Sequence, residues 1–200
     1  MKAVLVTQRV DIHADRGERR DALDQRFAQF VFACGLLPVL VPNDMNIAQA
    51  LFDAVRPVGV VLSGGNDLVA LGGNAPERDA TEDALTQIAK GQCVPVVGVC
   101  RGMQLLVHRA GGTLVNNAGH VASRHLVRGE VNREVNSFHG WEVHRCGPGW
   151  ESLAQADDGS IEMACCAELR QWGVMWHPER EKEFAPEDIA LFRKMLGASD

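Results

Sequence analysis

Through the first half of the chain, apolar runs of strand length alternate with stretches of helical period. A chain built this way must make a parallel sheet, because successive parallel strands can be joined only by a crossover, usually a helix. The amino-terminal residues 1–7 read as a first strand. Leu23, Phe27, Phe30, Val31 and Cys34 then form one apolar stripe of a helix that stops at Gly35. A strand over 37–41, a short helix over 47–55 that stops before Pro57, and a strand over 58–62 follow. That third strand runs into Ser63-Gly64-Gly65. A helix over 79–90, with Leu85 and Ile88 inward, leads to an almost wholly apolar strand over 94–99, as expected of a strand covered on both faces. Beyond Gly111-Gly112 the pattern changes: residues 113–145 are rich in Asn, Gly and His without helical period and read as loops and short strands. Residues 161–167 and 172–176 look like a hairpin, and 186–196 like a closing helix with Pro at its start and Gly197 at its end. The expectation is one domain over 1–200, a three-layer α/β architecture with a mostly parallel central sheet and a C-terminal β-hairpin, its site at the carboxyl ends of the strands.

The totals exclude several classes of function. A net charge of −6, with 20 basic residues scattered and no dense run, lacks the footprint of a nucleic-acid binder. No apolar run approaches the roughly 18 residues a membrane-spanning helix needs. The amino terminus is too short an apolar run for a signal peptide, and the six cysteines follow no disulfide framework, so a reduced cytoplasm is the expected compartment.

The strand over 94–99 ends in Gly98-Val-Cys-Arg-Gly-Met103, and Gln104 to Arg109 continue in good helix formers. A cysteine between two glycines at a strand-to-helix turn has the local chemistry of a nucleophile elbow. The helix N-terminus that Arg101 and Gly102 open would favour a thiolate at Cys100. The alternative is an inert core cysteine. A thiolate nucleophile needs a base and a group to fix that base's tautomer. Trp176-His177-Pro178-Glu179 offers both, since residues two apart in an extended segment face the same way; alone, the tripeptide reads as readily as a surface turn. Gly64 and Gly65, directly after a buried strand, could present free N–H groups to a developing oxyanion, with the N–H of Arg101 as the second donor.

With these residues in place the chain resembles the class I glutamine amidotransferases. The resemblance is carried by Leu62-Ser-Gly-Gly-Asn-Asp67, Val97-Gly-Val-Cys-Arg-Gly-Met-Gln-Leu-Leu106, Gly111-Gly-Thr113, Val135-Asn-Ser-Phe-His139 and Gly173-Val-Met-Trp-His-Pro-Glu179, in that order. The branch it looks most like is the γ-glutamyl hydrolases, including the γ-glutamyl-γ-aminobutyrate hydrolases. The resemblance implies a flavodoxin-like fold, a Cys100–His177–Glu179 triad, oxyanion donors at Gly65 and Arg101, and a γ-glutamyl pocket lined by Gly64, Gln104, Ser137, Phe138 and His139. It implies hydrolysis through a γ-glutamyl thioester, with no cofactor. Two departures stand out. Only Leu68 to Glu77 fills a gap that holds a longer insertion in many relatives, so the pocket should be more open or completed by other loops. The segments Thr7 to Asp11 and Glu18 to Asp24 are similar to a short branch associated with capsular phosphoramidate pathways, whose members resemble γ-glutamyl-CDP-amidate hydrolases.

Two rival functions share these residues: a glutaminase subunit that passes ammonia to a separate synthase partner, and a catalytically silent binding module. His120, His125, His139, His144 and Cys146 invite the idea of a metal site, but none has a partner at finger-like spacing, and no metal is expected. Arg9, Arg19 and Arg78 read as solvated arginines near the strand ends, any of which could meet a substrate carboxylate or phosphate.

Overall fold

The computed structural model describes residues 1–198. Its strands are β1 (Lys2–Thr7), β2 (Arg9–His13), β3 (Glu18–Ala22), β4 (Leu36–Val41), β5 (Gly59–Leu62), β6 (Val96–Val99), β7 (Thr113–Asn116), β8 (Ser123–Gly129), β9 (Arg133–Ser137), β10 (Trp141–Arg145), β11 (Glu151–Ala156), β12 (Ile161–Cys166) and β13 (Gln171–Val174). Its helices are α1 (Gln25–Ala33), α2 (Met45–Val55), α3 (Pro76–Gly91), α4 (Arg101–Arg109) and α5 (Pro186–Met195).

Eleven of the strands form one mixed sheet with the order β4-β1-β5-β6-β13-β12-β11-β8-β9, and β10 and β7 branch from β12. The pairs β4-β1, β1-β5, β5-β6 and β6-β13 are parallel, and the ladder beyond β13 is antiparallel. Period-2 alternation splits the apolar side chains of the parallel half between the two faces. Val4, Val6, Val61, Val97 and Val99 pack with Phe27, Phe30 and Val31 of α1 and Phe192 and Met195 of α5. Leu5, Val60, Leu62 and Val96 meet Ala48 and Phe52 of α2, Leu85 and Ala89 of α3 and Leu105 of α4. The three layers are therefore helices, sheet and helices, as the alternation predicts.

The helices begin where their caps allow. Asp24 caps α1 by accepting from the Arg26 N–H, and Asp44 caps α2 by accepting from Asn46 and Ile47. α3 starts earlier than its apolar pattern suggests, with Pro76 in the first turn and Glu77 and Asp79 complementing the helix dipole. The region 113–145, expected as loops and short strands, contains four strands, β7 to β10. Two elements lie outside the sequence expectation. β11 joins the antiparallel ladder. β2 and β3 form a separate ribbon, largely exposed, whose polar residues gave no period-2 signal. Asn66 fastens this ribbon beside the strand ends: its Oδ1 accepts from the Val10 N–H and its Nδ2 donates to the Val10 carbonyl. The short gap between β5 and α3 is thus compensated by another part of the chain. No helix is long and apolar enough to cross a membrane among the described residues.

Candidate active site

Cys100 caps α4 with φ 52° and ψ −107°, a conformation a non-glycine residue adopts only when its surroundings impose it. Its N–H donates to the Val174 carbonyl at 2.7 Å, and its own carbonyl accepts from the Gln104 N–H. The positive φ belongs to the cysteine itself, and the glycines allow close approach. A Cβ on Gly98 would fall 2.4 Å from the Met103 nitrogen, and one on Gly102 would fall 2.3 Å from the Leu62 oxygen. Strand β6, helix α4 and the end of β5 are therefore in backbone contact at the elbow.

β13 lies parallel to β6 with Val174 opposite Val99, so the chain three residues further on reaches the neighbourhood of Cys100. Here His177 Nδ1 lies 2.7 Å from Glu179 Oε1, with both side chains almost wholly buried. Residues 178–180 form a single 3-10 turn rather than the extended segment expected, and it is this turn that brings Glu179 back under the imidazole. Two residues the sequence did not single out hold the turn. Asn136 accepts from the His177 N–H at 2.9 Å and donates to its carbonyl at 2.8 Å. Arg26 donates to the Glu179 carbonyl at 2.9 Å and to that of Glu181. Burial pushes the His177 imidazole toward neutrality, but attraction to Cys100 and Glu179 outweighs it and lifts the pKa from 6.5 to about 10. A proton is therefore held on His177 at neutral pH.

Gly64 and Gly65 follow β5 directly. A Cβ on Gly64 would stand 2.7 Å from His177 Cε1, so only glycine fits there, and Gly65 adopts φ +82°. Behind this loop lies Arg78, expected at the surface and in fact wholly buried. Its guanidinium donates to the carbonyls of Ser63 (2.6 Å), Gly64 (3.1 Å) and Gly65, and its Nε to Glu82 Oε1 (3.0 Å). The Ser63 N–H donates to Thr7 Oγ1 at 3.0 Å, and Gly65 borders the cleft that holds Cys100. The Arg101 side chain is also buried, paired with Glu82 and Asp79, so only its backbone is available to the site. Burial opposes ionisation of Glu82, yet Arg101 and Arg78 hold its carboxyl below the usual range. Two buried arginines flanking a carboxylate that also accepts from Thr7 make a polar block beneath the loop.

The cleft over Cys100 has a volume of about 350 Å³, and Arg9, Gly65, Asn66, Gln104, Phe138 and Arg180 are among its walls. A second hollow of about 310 Å³, on the side of Asp11, Leu23 and Phe27, also reaches Gly64, Gly65 and His177. A larger cavity of about 460 Å³, between α3 and α4, contains none of these groups. Of the expected pocket residues, Gln104 is buried at the wall and donates to the Trp141 carbonyl at 2.8 Å. Phe138 is exposed, edge-on to His177 at 5.8 Å and covered by the Arg180 guanidinium at 4.4 Å. Ser137 does not line the cleft: it is fully buried, and its hydroxyl donates to the His120 carbonyl. His139 borders the cleft, but its imidazole is fully buried and turned toward Glu162. Arg9 stands at the rim, half exposed and paired with Asp11, whereas Arg19 pairs with Glu77 away from the cleft.

The architecture is that of the class I glutamine amidotransferases. The crystal structure of a putative GMP synthase subunit from Thermoplasma acidophilum matches it with a TM-score of 0.71, at 17% identity, over 98% of this chain and 94% of that one. The chain belongs to the peptidase C26 family, whose model matches residues 3–130 and 118–179, and it is a glutamine amidotransferase-like hydrolase acting on C–N bonds. It is similar to a gamma-glutamyl-CDP-amidate hydrolase of Campylobacter jejuni, 31% identical over 72% of this chain and 71% of that protein. It is also similar to a glutamine-hydrolyzing GMP synthase subunit of Pyrococcus furiosus, 27% identical over 82% of this chain and 87% of that one.

Proposed function

We propose that the protein hydrolyses the γ-glutamyl amide of a small, anionic γ-glutamyl compound, with Cys100, His177 and Glu179 as its triad. The Cys100 sulfur attacks the γ-carbonyl carbon. The oxyanion is held by the N–H groups of Gly65 and Arg101. The C–N bond breaks as His177 gives its proton to the leaving nitrogen, and a γ-glutamyl thioester remains. Water, deprotonated by His177, then attacks the thioester, the C–S bond breaks, and glutamate is released with the sulfur left as a thiolate beside the reprotonated His177. Glu179 keeps His177 in the orientation and charge state both steps require.

The observation that carries this reading is the buried His177–Glu179 pair, 2.7 Å apart, whose His177 lines the same solvent-open cleft as Cys100. Arg9 and Arg180 at the rim supply cationic groups for an anionic leaving group, which fits the cytidine diphosphate amidate named for the Campylobacter relative. A second reading, a glutaminase that hands ammonia to a separate synthase, draws on the similarity to the Pyrococcus GMP synthase subunit over most of both chains.

Purified protein should be given glutamine, a panel of γ-glutamyl amines and γ-glutamyl-CDP-amidate, while glutamate and ammonia are followed and Cys100→Ala serves as control. Release of glutamate from an anionic γ-glutamyl compound in preference to glutamine, with no partner added, is the expected result. Activity on glutamine alone, and only once a synthase is supplied, would establish the second reading. Turnover that survives Cys100→Ala would dispose of the mechanism.

A further inference from the structure

Away from the triad, strand pairing gathers three histidines that sequence spacing had discounted around an acidic residue it had not singled out. His120 follows β7, His125 lies on β8, His139 follows β9, and Glu162 lies on β12. Glu162 Oε1 lies 3.3 Å from His120 Nδ1, 3.3 Å from His125 Nε2 and 3.5 Å from His139 Nε2, and His120 Nδ1 lies 3.4 Å from His139 Nε2. His120, His125 and Glu162 offer ligand atoms within 4.8 Å of one another, and His139, His144 and Cys146 lie outside that set. Glu162 and the His139 side chain are fully buried, His120 is buried, and His125 is partly buried.

These contacts lie within ion-pair range but are long for hydrogen bonds. A carboxylate bonded to imidazolium draws in to about 2.7–2.9 Å, as Glu179 does with His177. Neither Glu162 oxygen has a hydrogen-bond partner, nor does either nitrogen of His125. The spacing suits a different arrangement. Four ligands at about 2.0–2.1 Å from a tetrahedral zinc ion stand about 3.3–3.4 Å from one another. The outer shell fits as well: the other nitrogen of His120, Nε2, lies 2.9 Å from Asp158 Oδ2, the carboxylate–histidine pairing that fixes the tautomer of a metal-bound imidazole.

We infer that His120, His125 and Glu162 bind one zinc ion, and that His139 Nε2, 3.4 Å from His120 Nδ1 and 3.5 Å from Glu162 Oε1, draws in to complete a closed, four-coordinate structural site. The ion has no part in the C–N chemistry, and the inference stands independently of the proposed substrate. Its consequence for the cleft is mechanical. It pins His139, whose neighbour Phe138 packs edge-on against His177 under Arg180.

The test uses full-length protein purified without a polyhistidine tag, with metal content measured by mass spectrometry and with Zn2+ and Co2+ as probes. One zinc per chain is expected, retained in Cys100→Ala and lost in His125→Ala and Glu162→Gln. Asp158→Asn, which leaves all four ligands in place, should weaken Zn2+ binding by about 10–100-fold. Chelator-stripped wild-type protein given Co2+ should show the intense visible bands of four-coordinate cobalt without sulfur charge-transfer bands, and Zn2+ should abolish them. This readout stands even where a ligand variant fails to fold. Stripped wild-type protein that develops no such bands, or zinc that disappears with Cys100→Ala, would overturn the inference.

Discussion

Replacing Arg78 with lysine tests the support beneath the glycine loop. The side chain is wholly buried; burial lowers its pKa to about 10, which still leaves it cationic at neutral pH. Lysine keeps a positive charge facing Glu82 but replaces a planar fork with a single ammonium, which cannot span the carbonyls of Ser63, Gly64 and Gly65 while reaching Glu82. Orphaning two of these carbonyls at ~1–3 kcal/mol each gives an expected loss of about 2–6 kcal/mol in unfolding free energy. The effect on turnover should be separable. Once the carbonyls are released, the proposed oxyanion donor at Gly65 loses its support, and loss of one such donor costs about 10²–10³ in kcat. KM should change little, because the ground-state carbonyl gains little from these donors. Urea unfolding gives the stability change, and steady-state kinetics on the best γ-glutamyl substrate give the rest. The exposed Arg109–Asp83 pair provides the scale: Arg109→Ala should cost no more than about 1 kcal/mol and leave kcat intact. Arg78→Lys protein that is less stable yet turns over at the wild-type rate would refute the claim that Arg78 orients the loop.

Other outcomes follow from the same geometry. Because the pKa of His177 is raised from 6.5 to about 10, the stabilisation it brings is fully present below pH 6.5 and is lost as pH climbs through about 10. Wild-type kcat/KM should accordingly fall on an alkaline limb near pH 10. In Glu179→Gln one of the charges that raises this pKa is gone, so the limb should move to lower pH by about a unit or more; an unmoved limb would separate Glu179 from the charge state of His177. Gly102→Ala places a Cβ 2.3 Å from the Leu62 oxygen, a backbone atom that cannot step aside, and should cost about 1–3 kcal/mol in urea unfolding along with activity. Unchanged stability would mean that the elbow has slack the structure does not show.

The parallel half of the fold was legible because it is buried on both faces. Runs such as Val58 to Leu62 and Val94 to Val99 carry their own signal, and the helices between them have single apolar stripes. The β2–β3 ribbon was not legible, since a largely exposed ribbon rich in Arg, Asp and Glu has nothing to alternate. Cys100, His177 and Glu179 could be read from local chemistry, one at a strand–helix junction and two on a single turn. Arg78 could not. Its helix presents a charged residue inward only because Glu82 and the loop carbonyls wait there, and no propensity scale anticipates a buried arginine with that many acceptors. The histidine group around Glu162 was invisible for a third reason. Spacing along the chain finds sites whose ligands share a hairpin, whereas these come from four separated segments that meet only after β12 has paired.

The pairing of β13 with β6 also bears on how the enzyme comes into being. Cys100 and His177 occupy adjacent strand ends that lie far apart in the chain, and the hydrogen bond from Cys100 N–H to Val174 forms only when that long excursion has closed. Closing such a loop is slow and comes before the contacts that reward it. On the proposed triad, an isolated amino-terminal half emerging from the ribosome would carry the cysteine without its base. The competent thiol would then arrive with the last strand of the sheet, which would make turnover itself a report that the whole chain has folded.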